Sequence, residues 1–457
     1  MLLSNEPLHK YLNTAQKQYD YVCISLQSEL SYYSFTNTVE ILRARLPGST
    51  IITGGHYASL CWKKVVKDCD YVCLGDGISV YKQLLVDKLN IDDIAGIAFF
   101  DGNSLHYTPP RESMLKSVNP YEYSVACFDP WIEKEPIQLI ASYGCEYSCS
   151  FCSVSAYRKK IGRCQYIRYT PKELAQIIEF VHKHLGASCI NFMDDHFYGG
   201  DFKSIQELSA TLNANGIIWS AELRADTLIK CLSILKESTV GYIRFGIESY
   251  HSKVLARYRK SYPVEKVVEC VHELFNVGIY NQSYFILFDC FSTYEELMAN
   301  LRFMKLCYSC TYNNLISKLI AYENTEYYNM LEKQGLIDVS QNTKYSFLNP
   351  EIEKVYASMI RVLAPLQIVD QIIERVVMLI HSTHLCRVPK WLVLHRKKAS
   401  DCGYYYAAQI INSMAAGSLI DEDLLRNDLT EKVHDLCYHI SAELMIFRGD
   451  DKDEGKT

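Results

Sequence analysis

No window of this chain approaches the ~18 apolar residues that a membrane-spanning helix requires. The opening residues MLLSNEPLHK carry no apolar run behind a basic patch, so neither a secretory leader nor a membrane anchor is expected, and a cytoplasmic protein is. Positive charge is also in short supply: 47 Lys and Arg stand against 53 Asp and Glu, a net charge of -6. That balance excludes nucleic-acid binding through a broad basic face and leaves room only for a local basic groove. Internal repeats and low-complexity blocks are missing, which removes solenoids and disordered scaffolds. What is present, 457 residues of which 49% are apolar and 22% charged, is enough for a sizeable core in two or three domains.

Cysteine is plentiful, at 18 residues, and with no secretory leader so many thiols fit a reducing, oxygen-poor compartment where disulfides do not persist. Three of them, Cys145, Cys149 and Cys152, follow the apolar run 137–143 at x3 and x2 spacing, which places three thiolates on one loop at the end of a strand. Such a set suits three corners of a 4Fe-4S cube and leaves the fourth iron without a protein ligand. The 35 tyrosines suggest no particular chemistry.

This CxxxCxxC stretch, with Phe151 just before its last cysteine, resembles the radical S-adenosylmethionine superfamily. There the open iron takes the amino and carboxylate groups of S-adenosylmethionine. A second anchor is Phe245-Gly-Ile-Glu248-Ser249, similar to a fourth-strand signature of the same superfamily. Between and around these anchors the chain reads as a partial (β/α)6 TIM-like barrel over 131–325. Thr170, Pro171 and Glu173 start a helix running to about 184, with the threonine as cap and proline in the first turn. A strand at 189–193 delivers Asp194 and Asp195, and another near 217–220 leads to Arg224. Strands at 282–288, ending at Asp289 and Cys290, and at 315–321 complete six units, with helices at 227–237, 263–277 and 294–305. The carboxyl ends of such strands form the site.

Before the barrel, the runs YVCISL (21–26), TIITG (50–54) and YVCL (71–74) alternate with helical segments such as 34–45, so a small parallel sheet with helices on both faces is expected over 1–130. Gly54-Gly55-His56 and Gly75-Asp76-Gly77 fall at strand ends, where such sheets bind ligands. With the β-unit at 94–100 and the linker Tyr107-Thr-Pro-Pro-Arg111, this resembles the cobalamin-binding domain that precedes many radical cores. No DxHxxG motif is present, and only about twenty residues precede the first run, so the domain reads as truncated. The expectation is that cobalamin is not bound and that His56 is a turn histidine. From 326 to 457 the pattern is helical, with apolar spacing at 368–380 and 423–447 and a charged, disordered tail at 450–457. Neither a second cluster on Cys307, Cys310, Cys386 and Cys402 nor a metal on His381, His384 and Cys386 is expected.

The resemblance implies that Cys145, Cys149 and Cys152 hold the cluster. It further implies that Asp194, Asp195, Arg224, Glu248 and Ser249 grip S-adenosylmethionine, with the Phe151 backbone near its adenine. It also implies a reducing partner of flavodoxin or ferredoxin type and a peptide or small-molecule substrate, with no nucleic acid and no membrane. Without cobalamin, the expected outcome of hydrogen abstraction is peptide or natural-product modification such as epimerisation or crosslinking. A thiol would then return a hydrogen atom, and Cys290 and Cys386 are the candidates. The alternatives are a cobalamin-dependent C-methyltransferase and a non-catalytic iron-sulfur protein.

Overall fold

A computed structural model describes residues 19–110, 136–161 and 166–454. The chain forms two compact units: Met1–Glu122 with Gly144–Ile167 and Tyr322–Met330, and Tyr123–Tyr143 with Arg168–Ala321 and Leu331–Thr457. The expected boundary near 130 and the linker end Arg111 lie outside the described residues.

The first unit is built on a five-stranded sheet. β1 (Tyr21–Ser25), β2 (Thr50–Gly54) and β3 (Tyr71–Cys73) are parallel neighbours, and β4 (Ile97–Asp101) and β5 (Ser104–Tyr107) add an antiparallel hairpin. Helix α1 (Tyr32–Arg45) buries Phe35, Val39 and Leu42 at i, i+4 and i+7 against Ile51 and Val72, the apolar stripe of a surface helix. At the end of β2 the chain turns sharply through Gly55, whose φ is 109°. A Cβ there would stand 2.6 Å from the Leu26 carbonyl oxygen, so only glycine fits. Two short helices follow, α2 (His56–Leu60) and α3 (Trp62–Val65), and Asp76 caps α4 (Gly77–Tyr81) by accepting from the Ile78 N–H at 2.9 Å. The cysteine loop and its helix α5 (Ser153–Ile161) belong to this unit: Ala156 and Tyr157 of α5 sit in the same apolar cluster as Tyr57 and Leu60 of α2.

The second unit holds a parallel sheet in the order β10-β9-β8-β7-β6, where β6 is Ile137–Leu139, β7 Cys189–Phe192, β8 Ile218–Arg224, β9 Val240–Glu248 and β10 Tyr280–Phe285. Helices α6 (Pro171–Leu185), α7 (Phe202–Ala214), α8 (Ala225–Glu237), α9 (Glu265–Asn276) and α10 (Tyr294–Leu306) connect and cover it. Helix α6 starts with a full capping box, Thr170 with Glu173, and ends at Gly186 in the left-handed conformation. The sixth strand expected at 315–321 is reduced to one parallel bridge, Phe288 to Lys318: the helical turn Tyr312–Leu315, capped by Thr311, consumes its first residue. The architecture is therefore α/β, a TIM-like partial barrel with an N-terminal sheet domain and a helical C-terminal region.

The barrel strands alternate in character. Ile190, Phe192, Trp219, Ala221, Leu223, Ile243 and Phe245 are buried in the apolar core, while Gln138, Asn191, Ser220, Glu222, Arg244 and Gln282 occupy the opposite face. Parallel strands covered on both sides normally read as continuous apolar runs. A polar row here marks a face built to meet something other than helices.

The C-terminal region consists of α11 (Pro350–Leu363), α12 (Leu366–Ser382), α13 (Lys390–Ala415) and α14 (Glu422–Glu454). Helix α14 continues to Glu454, so the tail expected to be disordered is helical that far. Among the described residues no helix is long and apolar enough to cross a membrane.

Candidate active site

The loop carrying Cys145, Cys149 and Cys152 leads directly into α5. All three are half-buried and none is in a disulfide, with Phe151 between the last two. Burial pushes the Cys152 thiol up to about 11, and the neighbouring Cys149 and Cys145 push it the same way. The backbone N–H groups of Ser155 and Val154, in the first turn of α5, donate to it and act in the opposite direction. A thiol that accepts helix N–H groups with two more thiols on the same loop makes a donor set suited to a cation. Their side chains are not drawn together to metal-binding distance: among the described residues no group of three His, Cys, Asp or Glu side chains is.

Three contacts fix the loop. Arg158 of α5 donates to the carbonyl of Cys145 and, at 3.2 Å, to the Ser148 hydroxyl. The Tyr327 N–H donates to the Ser150 carbonyl at 2.9 Å. Arg158 was not singled out from the sequence; its position two turns into a helix that begins at the last cysteine was the available signal.

Beside the loop lies a cleft with about 360 Å³ of open space, lined by Gln27, Ser28 and Glu29 after β1, Tyr57 and Cys61 around α2, Ser153, Tyr322 and Glu323. Burial raises the Tyr322 phenol, its bond to Ser28 lowers it, and Cys152 adds to the rise, so this tyrosine reaches from the sheet to the cysteine loop. His56 packs against Tyr157 with the rings tilted by 40° and their centroids 4.6 Å apart, and its backbone N–H donates to Gln27 at 3.2 Å. The segment 322–325 matched only weakly in sequence, yet it supplies two of the cleft's side chains.

In the barrel, Asp195 is exposed and Asp194 is buried. The Asp194 carboxylate accepts from the Ala141 N–H at 3.0 Å and from the Ser142 hydroxyl, so it ties the end of β6 to β7 and does not face a ligand. Burial lifts it to about 6 in spite of those bonds. A carboxyl raised on folding favours the protonated native state, so its contribution is full at low pH and is lost as pH rises towards and through 6. The expected result is that wild type minus Asp194→Asn, followed by denaturant melts, loses on the order of 2 kcal/mol between pH 4 and pH 7. A pH-independent difference would contradict this.

Arg224 is buried and pairs with Asp226 at 3.1 Å. Ser249 is fully buried and donates to Asn300 at 3.0 Å, so it anchors the chain after β9 to α10 and is not open to a ligand. Glu248 has φ of 68° at a bulge in β9, and its carboxylate folds back over Gly246, where a Cβ would stand 2.3 Å from Oε1. There it meets Lys260 at 2.5 Å, a buried partner the sequence did not reveal. The glycine of Phe-Gly-Ile-Glu-Ser is thus the space this ion pair needs. Along the polar face, Asn191 accepts from Ser220 at 2.6 Å and from Arg244 at 2.9 Å, and Arg244 pairs with Glu222 at 3.3 Å.

The two candidate thiol donors do not reach this end. Cys290 is fully buried, with Sγ donating to the Ser346 carbonyl at 3.5 Å, and burial pushes it up to about 11. Cys386 precedes Arg387 and Val388, which bond to the carbonyls of Val240 and Gly278 at the amino ends of β9 and β10. It therefore sits at the opposite end of the strands from the carboxyl ends.

A parallel partial barrel with a polar row, in one chain with a three-cysteine loop and a glycine-turned parallel sheet, is a fold similar to that of solved cobalamin-dependent S-adenosylmethionine radical enzymes. Residues 139–304 match the model of the radical SAM superfamily. The chain is 25% identical over 301 residues to an uncharacterized methyltransferase of Pyrococcus horikoshii, covering 63% of this chain and 64% of that protein. It is 25% identical over 277 residues to bacteriochlorophyllide d C-12(1)-methyltransferase of Chlorobaculum tepidum, covering 56% of each. It thus spans little more than half to two thirds of these relatives' lengths. In fold, it is similar to the cobalamin-dependent S-adenosylmethionine radical enzyme OxsB with aqua-cobalamin bound, with a TM-score of 0.64 and 15% identity over 99% of this chain and 74% of that one. It is also similar to the radical S-adenosylmethionine methyltransferase TsrM of Kitasatospora setae with cobalamin and a 4Fe-4S cluster, with a TM-score of 0.56 and 13% identity over 72% of this chain and 67% of that one. These likenesses correct the expectation that cobalamin is not bound: both solved structures hold cobalamin, and the first matches this fold over almost its whole length. Neither the missing DxHxxG motif nor the short segment before the first run was a sufficient criterion.

Proposed function

We propose that this chain is a cobalamin-dependent radical S-adenosylmethionine methyltransferase. The observation that carries the proposal is that the cysteine loop and the glycine-turned ends of the parallel sheet form one compact unit, with the cleft at Ser28, Tyr57, Ser153 and Tyr322 among them. The relatives named as methyltransferases point the same way. The residues fit the groups. Three thiols on one loop suit a cluster with one open iron, and the hydroxyl and amide side chains along the cleft suit a corrinoid held without imidazole ligation.

When bound, the cluster supplies the electron that cleaves the sulfonium, and cobalamin supplies a methyl carrier. This chain's residues then have separate tasks. Cys145, Cys149 and Cys152 hold iron; Arg158 keeps their loop in place. Asp195, Arg224 and Glu248 orient S-adenosylmethionine, with the Phe151 backbone near adenine, while Asp194 and Ser249 hold the strand ends that carry them. Residues 1–130 serve as the corrinoid domain, 131–325 as the radical core and 326–457 as a helical support. A flavodoxin- or ferredoxin-type protein supplies electrons. Peptide epimerisation loses its support here, because neither Cys290 nor Cys386 is placed to return a hydrogen atom.

Protein reconstituted anaerobically with iron, sulfide and hydroxocobalamin, then desalted, is expected to retain one equivalent of corrinoid by its visible spectrum. Absence of retained corrinoid in the wild type would overturn the proposal.

A further inference from the structure

The first unit carries an exposed basic surface that neither the cluster nor the cleft uses, although the chain as a whole is acidic. Lys63 and Lys64 of α3 and Lys67 in the turn after it are exposed, and none of the three forms an ion pair. Lys160 of α5 adjoins them: its ammonium donates to the Leu60 carbonyl and, at 3.4 Å, to Asn324. Burial holds Lys160 below its ordinary value and the like charge of Lys63 pushes the same way, while Cys61 and Glu323 act in the opposite direction. Of the acids nearby, one is paired within this surface and the others have partners beside it. Glu326 pairs with Lys159, Asp68 accepts from the Tyr32 hydroxyl, and Glu323 and Glu29 line the cleft, the former within 3.7 Å of Cys61.

We infer that Lys63, Lys67, Lys159 and Lys160 form the docking surface for an acidic one-electron donor protein. This rests on the assignment of Cys145, Cys149 and Cys152 as cluster ligands. Helix α5 starts at the last of these cysteines, and a rise of about 1.5 Å per residue sets Lys159 and Lys160 only about 11 Å along the axis from Cys152. An electron carrier seated on these lysines stands close to the cluster it must reduce, transferring one electron and being oxidised by one. Clustered exposed cations steer an acidic partner onto the surface. Nucleic acid fits less well: the patch is short, and its aromatic pair, Trp62 and Tyr107, is already stacked on itself at 5.1 Å and offers no free ring for a base.

The test uses the full chain with its cluster reconstituted and Lys63→Glu/Lys67→Glu as the variant. Cluster bleaching is followed by stopped flow with an acidic flavodoxin hydroquinone and, separately, with dithionite. The wild-type rate with flavodoxin is expected to fall steeply with salt, and the variant to be about tenfold slower or more at low salt with a flat salt dependence. Dithionite should reduce both alike. Binding of FMN-free flavodoxin to cluster-free protein, read by fluorescence anisotropy, should weaken in parallel. Equal flavodoxin rates for the two proteins would overturn the inference. So would an equal loss with dithionite, which would assign the lysines to the cluster itself, or salt-dependent binding of an RNA oligomer lost in the variant. Each readout is independent of methyl transfer, so failure of the methyltransferase proposal leaves this result intact.

Discussion

Replacing Cys145, Cys149 and Cys152 together by alanine is expected to give a folded protein that has no iron-sulfur absorbance and forms no 5'-deoxyadenosine from S-adenosylmethionine. The three thiols are half-buried on a loop that is fixed by other groups, namely Arg158, Ser148 and Tyr327. The cost to stability is therefore confined to about 1 kcal/mol per side chain, as for ordinary substitutions, while the chemistry is lost altogether. Circular dichroism and a denaturant melt check the first half, and iron content with mass spectrometry checks the second. A cluster that survives the triple replacement would place the iron elsewhere in the chain.

The second large effect belongs to Lys260. Lys260→Ala leaves the Glu248 carboxylate without its partner in a site where both side chains are nearly closed to solvent, 5% and 12% exposed. Breaking a buried pair from one side costs about 3–5 kcal/mol, because the remaining charge is desolvated and unpaired. Since Glu248 sits at the bulge that ends β9, S-adenosylmethionine affinity is expected to fall as well. Lys260→Met with Glu248→Gln removes both charges and is expected to recover most of the stability in a urea melt without recovering cofactor binding. If Lys260→Ala melts within about 1 kcal/mol of wild type, the pair is not the strut described.

These two sites differ in how far the sequence disclosed them. The cysteine loop was legible because three thiols at fixed spacing after a strand state their purpose locally. The α6 helix was legible for the same reason, its capping box and terminal glycine being written within a few residues of each end. Glu248 was found through the Phe-Gly-Ile-Glu-Ser run, but Lys260 was not, because the pair depends on a bulge and on the space above Gly246, neither of which has a sequence period. Asp194 and Asp195 looked equivalent as neighbours. Alternation separated them, turning one into the strand ends and the other to solvent. Cys290 and Cys386 were placed by strand order alone. The first was off because burial decides which way a side chain faces after a strand, and the second because the chain returns under the barrel before α13. The sixth strand dissolved into one bridge because Thr311 caps a helical turn where Leu315 was expected to begin extended chain. The cobalamin expectation rested on an absent motif and a short leading segment, whereas the likeness to structures that hold cobalamin resides in the fold, which no short motif records.

The methyltransferase account is tested most directly by anaerobic incubation of the protein, reconstituted with cluster and cobalamin, with S-adenosylmethionine and reductant, followed by mass spectrometry of the nucleoside products. S-adenosylhomocysteine formed in a cobalamin-dependent manner alongside 5'-deoxyadenosine is the predicted result. Abundant 5'-deoxyadenosine with no S-adenosylhomocysteine, whether or not cobalamin is supplied, would contradict it.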